Sequence, residues 1–213
     1  MTVISLTSIP PRFSGLGPVL ESLLAQGAER VVLALPRAYA RFPGPVSPPP
    51  VPGGVEILWC DDQGPATKLL AAQAACPGAD IVYCDDDCVY GPGWLAALGA
   101  GAAPGVAAAG AVFDVARLKR RGGLVAQGFA GVLIPAGLRF APPPAACRAA
   151  DDLWLSAQMA LAGLKIRPCP EARAKVTPFA APAPLQDENR ADHYARAAEH
   201  IQMETGLWPE MPG

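Results

Sequence analysis

Short apolar runs rich in β-branched residues alternate along this chain with longer stretches of helical periodicity, and proline, glycine or aspartate closes most of the runs. A chain patterned this way folds as an α/β domain around a mainly parallel sheet flanked by helices, because parallel strands need a crossover to return to the same edge. The first run, residues 3–9, ends in Pro10 and Pro11, which cannot continue a ladder, so Thr7, Ser8 and Arg12 fall near its carboxyl edge. A helix is expected over residues 16–26, where Leu16, Val19, Leu20, Leu23 and Leu24 recur at helical spacing before Gly27. A second strand, 31–35, is closed by Pro36, and a third, 55–59, follows the Pro- and Gly-rich stretch 42–54, which reads as an irregular loop. Asp61 and Asp62 come next, then Gly64 and Pro65 opening a helix through Thr67, Lys68, Leu69 and Leu70. The fourth strand, 80–84, delivers Asp85, Asp86 and Asp87. Later strands are predicted at 106–113 and 129–134, a helix at 153–161 opened by Asp151 and Asp152 and stopped by Gly163, and a terminal helix at 189–204.

One core suffices for 213 residues, so a single domain over residues 1–213 is expected. With 51% hydrophobic and 17% charged residues, the chain is too apolar to be disordered. Its net charge of -2 gives no drive toward nucleic acid, and Lys119, Arg120 and Arg121 read as a solvated turn before Gly122 and Gly123. The N-terminus lacks the basic start and cleavage site of an export signal, so a cytoplasmic location is expected. Residues 95–113 carry no charge, but their Ala, Gly and Pro104 bury too little apolar surface for lipid, and no integral membrane span is expected. Six cysteines in such a chain imply reduced thiols. Cys84 and Cys88 flank the aspartates without the second pair or nearby His of a zinc site, and read as buried strand-end thiols.

Ligands of open α/β sheets gather beyond the carboxyl ends of the strands, and here those ends carry Thr7 and Ser8, then Asp61 and Asp62, then Asp85 to Asp87. Adjacent carboxylates repel one another unless a cation, a base or water neutralises them. A divalent Mg2+ or Mn2+ is the economical answer, since these ions accept one or two protein carboxylates and complete their shell with phosphate oxygens and water. On an extended segment Asp85 and Asp87 share a face while Asp86 points elsewhere. The competing reading is a solvated turn, in which aspartate is common. Lys68 weighs against it, because a cation just after a Gly-Pro turn is placed to meet a phosphate; the alternative for Lys68 is an ordinary surface lysine.

Three segments carry a resemblance: Ile4-Ser5-Leu6-Thr7-Ser8-Ile9-Pro10-Pro11-Arg12, Asp62-Gln63-Gly64-Pro65-Ala66-Thr67-Lys68-Leu69, and Tyr83-Cys84-Asp85-Asp86-Asp87-Cys88-Val89-Tyr90. In order and spacing they resemble bacterial GT-A glycosyltransferases of the family 2 kind with an Asp-x-Asp motif. The resemblance continues through Gly128 to Val132, Asp151 to Ser156, and the tail with Asp192-His193-Tyr194 and Gly206-Leu207-Trp208-Pro209. It implies a single GT-A, Rossmann-like domain, with residues 1–114 mainly binding a nucleotide and 115–213 mainly an acceptor. By the same resemblance Asp87 binds the metal, Asp85 contacts metal or ribose, and Asp61 or Asp62 lies near the base and ribose. Thr7, Ser8 and Arg12 line the nucleotide pocket with Asp86 and Lys68, and His193 is a metal or diphosphate ligand. Gly128 to Gly131 lets the backbone approach donor sugar or acceptor. The implied partners are a nucleotide-sugar donor, UDP-sugar favoured, and a glycan or lipid-linked acceptor at the cytoplasmic side or the inner face of a membrane.

The acidic pair is Asp151-Asp152 where related enzymes often have Glu-Asp, so Asp152, with Asp151 as the alternative, is the expected general base of an inverting transfer. Two other classes compete: a nucleotidyltransferase, which wants a glycine-rich basic loop where this chain has Pro10-Pro11-Arg12-Phe13-Ser14-Gly15, and a non-catalytic sugar-nucleotide binder. His193 and His200 lie seven apart on a predicted helix, roughly on one face. Trp154 and Trp208 are candidates for stacking on a sugar, although the helical position of Trp154 favours the core.

Overall fold

Residues 1–184 and 189–212 are described by a computed structural model. The first half builds β1 (Thr2–Thr7), α1 (Leu16–Leu24), β2 (Arg30–Pro36), β3 (Val55–Cys60), α2 (Thr67–Ala75) and β4 (Asp80–Tyr83). Next come β5 (Cys88–Tyr90), α3 (Trp94–Ala100), β6 (Val106–Asp114) and β7 (Leu124–Ile134). The rest forms α4 (Asp151–Leu161), β8 (Lys165–Pro168), α5 (Pro170–Arg173), β9 (Val176–Pro178) and α6 (Arg190–Thr205).

Seven strands form one mixed sheet in the order β3-β2-β1-β4-β7-β6-β8, and β5 pairs with β9 in a separate ribbon. β1 lies parallel between β2 and β4, and β2 is parallel to β3, so these carboxyl ends share one edge. β7 runs antiparallel to both β4 and β6. Its pairing of Tyr83 with Val132 carries the earlier residues Gln127 to Phe129 past the end of β4, to the edge where the aspartates emerge. The expected mainly parallel sheet is therefore found, with one reversed strand whose direction brings the second half of the chain to the site.

Both faces of the sheet are covered, which is what near-continuous apolar strands require. Alternation divides the strands between the two sides. Ile81 and Tyr83 pack with Leu69 of α2, Leu153 and Leu155 of α4 and Ile201 of α6. Ile4, Leu6 and Val82 pack with Leu16, Leu20 and Leu23 of α1 and with Trp94 and Leu98 of α3. Gly163, at φ +75°, follows the end of α4, and Gly206, at φ +73°, caps α6. Among the described residues no helix is long and apolar enough to cross a membrane.

Three expectations are corrected. β7 starts at Leu124, well before the predicted residue 129, because Gly128 interrupts the apolar pattern without interrupting the strand. Arg120 is buried, hydrogen-bonded to Gln202 and 3.4 Å from Glu210, while Lys119 and Arg121 are the solvated residues of that turn. Trp208 is 3% exposed and belongs to the core, where a Cβ on Gly123 would lie 2.2 Å from its Nε1, so it is not placed to stack on a sugar. Trp154 is also buried, donating from Nε1 to the Ala141 carbonyl at 2.7 Å. Cys84 and Cys88 are the buried free thiols expected, and burial pushes the Cys88 thiol up to about 12.

Gly131 is one of the tightest joints of this framework. It takes φ +86°, and a Cβ there would lie 2.2 Å from Cζ2 of Trp94, whose Nε1 donates to the Ala130 carbonyl at 2.9 Å. Gly131→Ala is expected to destabilise by about 1–3 kcal/mol through overpacking and a left-handed backbone. Thermal or urea unfolding measures it; an unchanged midpoint would contradict this packing.

Candidate active site

A cavity of about 680 Å³ opens at the carboxyl edge, lined by residues from both halves of the chain. β1 ends at Thr7, whose Oγ1 donates to the Ala34 carbonyl at 2.8 Å. The prolines that stop the strand start a 3-10 turn over Pro10–Gly15, which swings Arg12 back against the segment after β4. Arg12 Nη1 lies 2.5 Å from Asp86 Oδ1 and 3.4 Å from Asp87 Oδ2. Ser8 Oγ donates to Asp86 Oδ2 at 2.5 Å, and Tyr39 holds the Ser8 carbonyl at 2.8 Å. Both oxygens of Asp86 are thus engaged, and Arg12 joins it to Asp87, so Asp86 faces the same cavity as its neighbours. Burial pushes its carboxyl up, against the pull of Arg12 and Ser8.

Asp62 shapes the approach to α2. Its Oδ1 accepts from the Gly64 N–H at 2.7 Å and its Oδ2 from the Ala40 N–H at 2.9 Å, while Arg148 lies 3.5 Å away. Gly64 turns at φ +63°, where a Cβ would lie 3.2 Å from Arg148. Asp62 lines the cavity; Asp61 is exposed and does not.

Lys68 is 3% exposed, which excludes the surface-lysine reading. Its Nζ donates to Asp85 Oδ1 at 2.6 Å, lies 3.0 Å from Asp151 Oδ2, and sits 5.7 Å from the centre of the Tyr83 ring. Burial works to discharge the ammonium, but Asp151, Asp85 and Asp152 outweigh it and hold its pKa well above the usual lysine range.

Asp151 and Asp152 occupy the first turn of α4, yet neither side chain caps it; Ala150 is the N-cap. Asp152 Oδ1 instead accepts from the Gly128 N–H of β7 at 3.0 Å. Asp151 is 7% exposed, and its Oδ2 has the ion contact with Lys68 but no hydrogen-bond donor. Burial, then the neighbouring Asp151, lifts the Asp152 carboxyl to about 8, with Lys68 and the Gly128 N–H opposing. The reversed strand and the uncapped helix together bring a protonatable acid beside the aspartates that follow β4.

No protein-family model matches this chain, and no curated protein matches it.

The donor set fits a hard divalent cation. The Asp85 and Asp87 side chains keep 33% and 31% of their surface, and burial followed by Asp85 and Asp86 pushes the Asp87 carboxyl up. Two cations, Arg12 and Lys68, are shared among Asp85, Asp86, Asp87 and Asp151, so one more positive centre relieves the repulsion. Among the described residues no three His, Cys, Asp or Glu groups come together as a preformed cage. Asp85 and Asp87 are the residues that would hold Mg2+ or Mn2+, ions that take much of their shell from phosphate and water. His193 lines the same cavity, with Nδ1 2.9 Å from Arg196 Nη2; His200 does not line it.

Sequence reasoning missed several lining residues. Arg41 and Phe42 stand in the loop after β2, with the guanidinium 5.2 Å from the ring centre and its nitrogens on the Ala183 and Pro184 carbonyls at 3.4 and 3.2 Å. Tyr39 precedes them, edge-on to Phe42. The signal was present: an aromatic pair just past Pro36 must fall at the carboxyl edge of β2. Arg148 carried no such signal, since only the tertiary fold sets it against Asp62. Tyr194 also lines the cavity, its hydroxyl lifted to about 12 by burial and then Asp152.

Proposed function

We propose that this chain is a metal-dependent glycosyltransferase of the GT-A kind, moving a sugar from a nucleotide donor, UDP-sugar favoured, to a hydroxyl of a glycan or lipid-linked acceptor with inversion. The observation that carries the reading is that one cavity joins the partly exposed Asp85 and Asp87 to the perturbed Asp152, across Lys68. Its 680 Å³ is within the usual range of roughly 300–1,000 Å³ for small-molecule sites. An acid with a pKa near neutrality, facing a cavity that also holds paired carboxylates, favours an enzyme over a non-catalytic binder. A nucleotidyltransferase would want a flexible glycine-rich loop after β1, where this chain has a proline-led turn pinned to Asp86.

In this reading Asp85 and Asp87 would hold a divalent cation, whose charge would stabilise the departing diphosphate. Arg12 adds a guanidinium at the same edge, and Thr7, Ser8 and Asp62 shape the walls for the nucleoside. Asp152, oriented through Oδ1 by the Gly128 N–H, takes the proton of the acceptor hydroxyl. The acceptor oxygen forms its bond to the anomeric carbon as the carbon–oxygen bond to the diphosphate breaks, and nucleoside diphosphate leaves. The protein acts in the cytoplasm or peripherally on the inner face of a membrane.

The test is release of nucleoside diphosphate from a panel of sugar nucleotides, with Mn2+, with Mg2+ and with chelator. Cation-dependent release from at least one donor is expected. Absence of release from every donor would sink the proposal.

A further inference from the structure

Lys68 has the placement of a phosphate ligand in sequence and of a strut in space. Its ammonium is spent on two carboxylates from distant parts of the chain, Asp85 after β4 and Asp151 on α4. The residue is 3% exposed, and Gly128 closes it in: a Cβ there would lie 2.9 Å from Nζ and 3.1 Å from Asp85 Oδ1. Asp151 depends on it, being buried with Oδ2 otherwise unpartnered. Resting on the glycosyltransferase reading, we propose that Lys68 is a positioning residue that fixes Asp85 and Asp151 relative to each other across the cavity floor, and is not a ligand of the diphosphate.

The physical content is a shared counter-ion. Without the ammonium, the Asp151 Oδ2 is left buried with no partner beside Asp85, and the first turn of α4 loses its tie to the β4 edge. Asp152, the neighbour of Asp151 on that turn, then shifts with it. Among the described residues, the charged and titratable groups that act on Asp152 or are acted on by it are Lys68 on α2, Tyr83 in β4, Asp85 just after it, Asp151 on α4, and Tyr194 on α6. Of these Lys68 is the cation that acts on it, so Lys68→Met makes its carboxylate harder to form.

A double-mutant cycle with Lys68→Met and Asp151→Asn tests this in two currencies. In stability, Lys68→Met is expected to lower the melting temperature and Asp151→Asn, added to it, to restore part of the loss. In transfer, Lys68→Met is expected to cost about 10- to 100-fold, the usual toll for a partner of a metal-binding carboxylate. The double variant should be no worse than the poorer single variant. The rising limb of kcat against pH should also move to higher pH in Lys68→Met, which loss of rigidity alone would not do. Gly128→Ala, which keeps the ammonium but crowds it, covers the case of a Lys68 variant that does not fold; its transfer loss too should fail to multiply with that of Asp151→Asn. Independent losses in stability, multiplicative losses in transfer, or an unmoved pH limb would overturn the proposal and return Lys68 to direct contact with ligand. The stability arm needs no substrate, so a wild-type protein inactive on every donor would remove the glycosyltransferase reading while still deciding whether Lys68 and Asp151 act as a pair.

Discussion

Asp152→Asn is expected to fold and bind donor like the parent protein and to lose transfer by about two to four orders of magnitude, the usual range for removing a general base. A sugar hydroxyl is a weak nucleophile near neutral pH, so the transition state needs somewhere to put its proton. In the proposed mechanism the Gly128 N–H orients Asp152, a bond an asparagine oxygen still accepts, so the orientation survives and the basicity does not. The alternative role, capping α4, makes no such demand, and neither acid makes a capping bond. Its raised pKa gives a second signature. Between the ordinary carboxylate range and about 8 the folded protein binds this proton while the unfolded chain does not, so stability falls as pH rises across that window. Asp152→Asn should flatten that fall, read by thermal melts from pH 5 to 9, while the wild-type transfer rate rises over the same interval. Near-normal transfer by both Asp151→Asn and Asp152→Asn, or a product of retained anomeric configuration, would refute the inverting-base mechanism.

Asp87→Ala is expected to weaken UDP binding in Mn2+ by about a hundredfold or more, since it removes one of two carboxylates left to hold a cation between protein and diphosphate. The fold should survive, because Arg12 keeps its closer partner Asp86 at 2.5 Å and Asp87 is the more exposed of the two. Calorimetry with and without chelator reads the result. An affinity in the variant that matches wild type and ignores chelator would remove the metal assignment while leaving Asp152 untouched.

Much of this was legible in the chain because proline and glycine mark where strands stop. Pro10 and Pro36, with Gly163 beyond α4, delimit elements close to where they occur, and Asp85 to Asp87 fall past β4 as expected. The direction of β7 was not legible, since strand polarity is decided by partners and not by apolar period. The three-residue strands β5 and β9 offer too little pattern, and β8 is an exposed edge carrying Lys165 and Arg167. Lys68 was found as a cation in the right place, but no local rule says that a lysine two positions into a helix will be nearly fully buried. That follows from α4 and β7 arriving above it. Asp61 and Asp62 were adjacent candidates that spacing alone could not separate; the tight turn at Gly64 selects Asp62.

The exposed connection between β6 and β7 divides the chemistry as well as the chain. Residues Ala116, Arg117, Lys119, Arg121 and Gly122 are solvent-facing there. A protein cut at this point would carry Lys68 and Asp85 to Asp87 on one fragment, and Gly128, Asp151 and Asp152 on the other. Neither piece owns a complete site. β7 must slot between β4 and β6, two strands of the other fragment, before the carboxylates meet. Under the proposed transferase function, turnover by a mixture of the fragments would therefore report their docking, making this sheet a frame for a split-protein sensor.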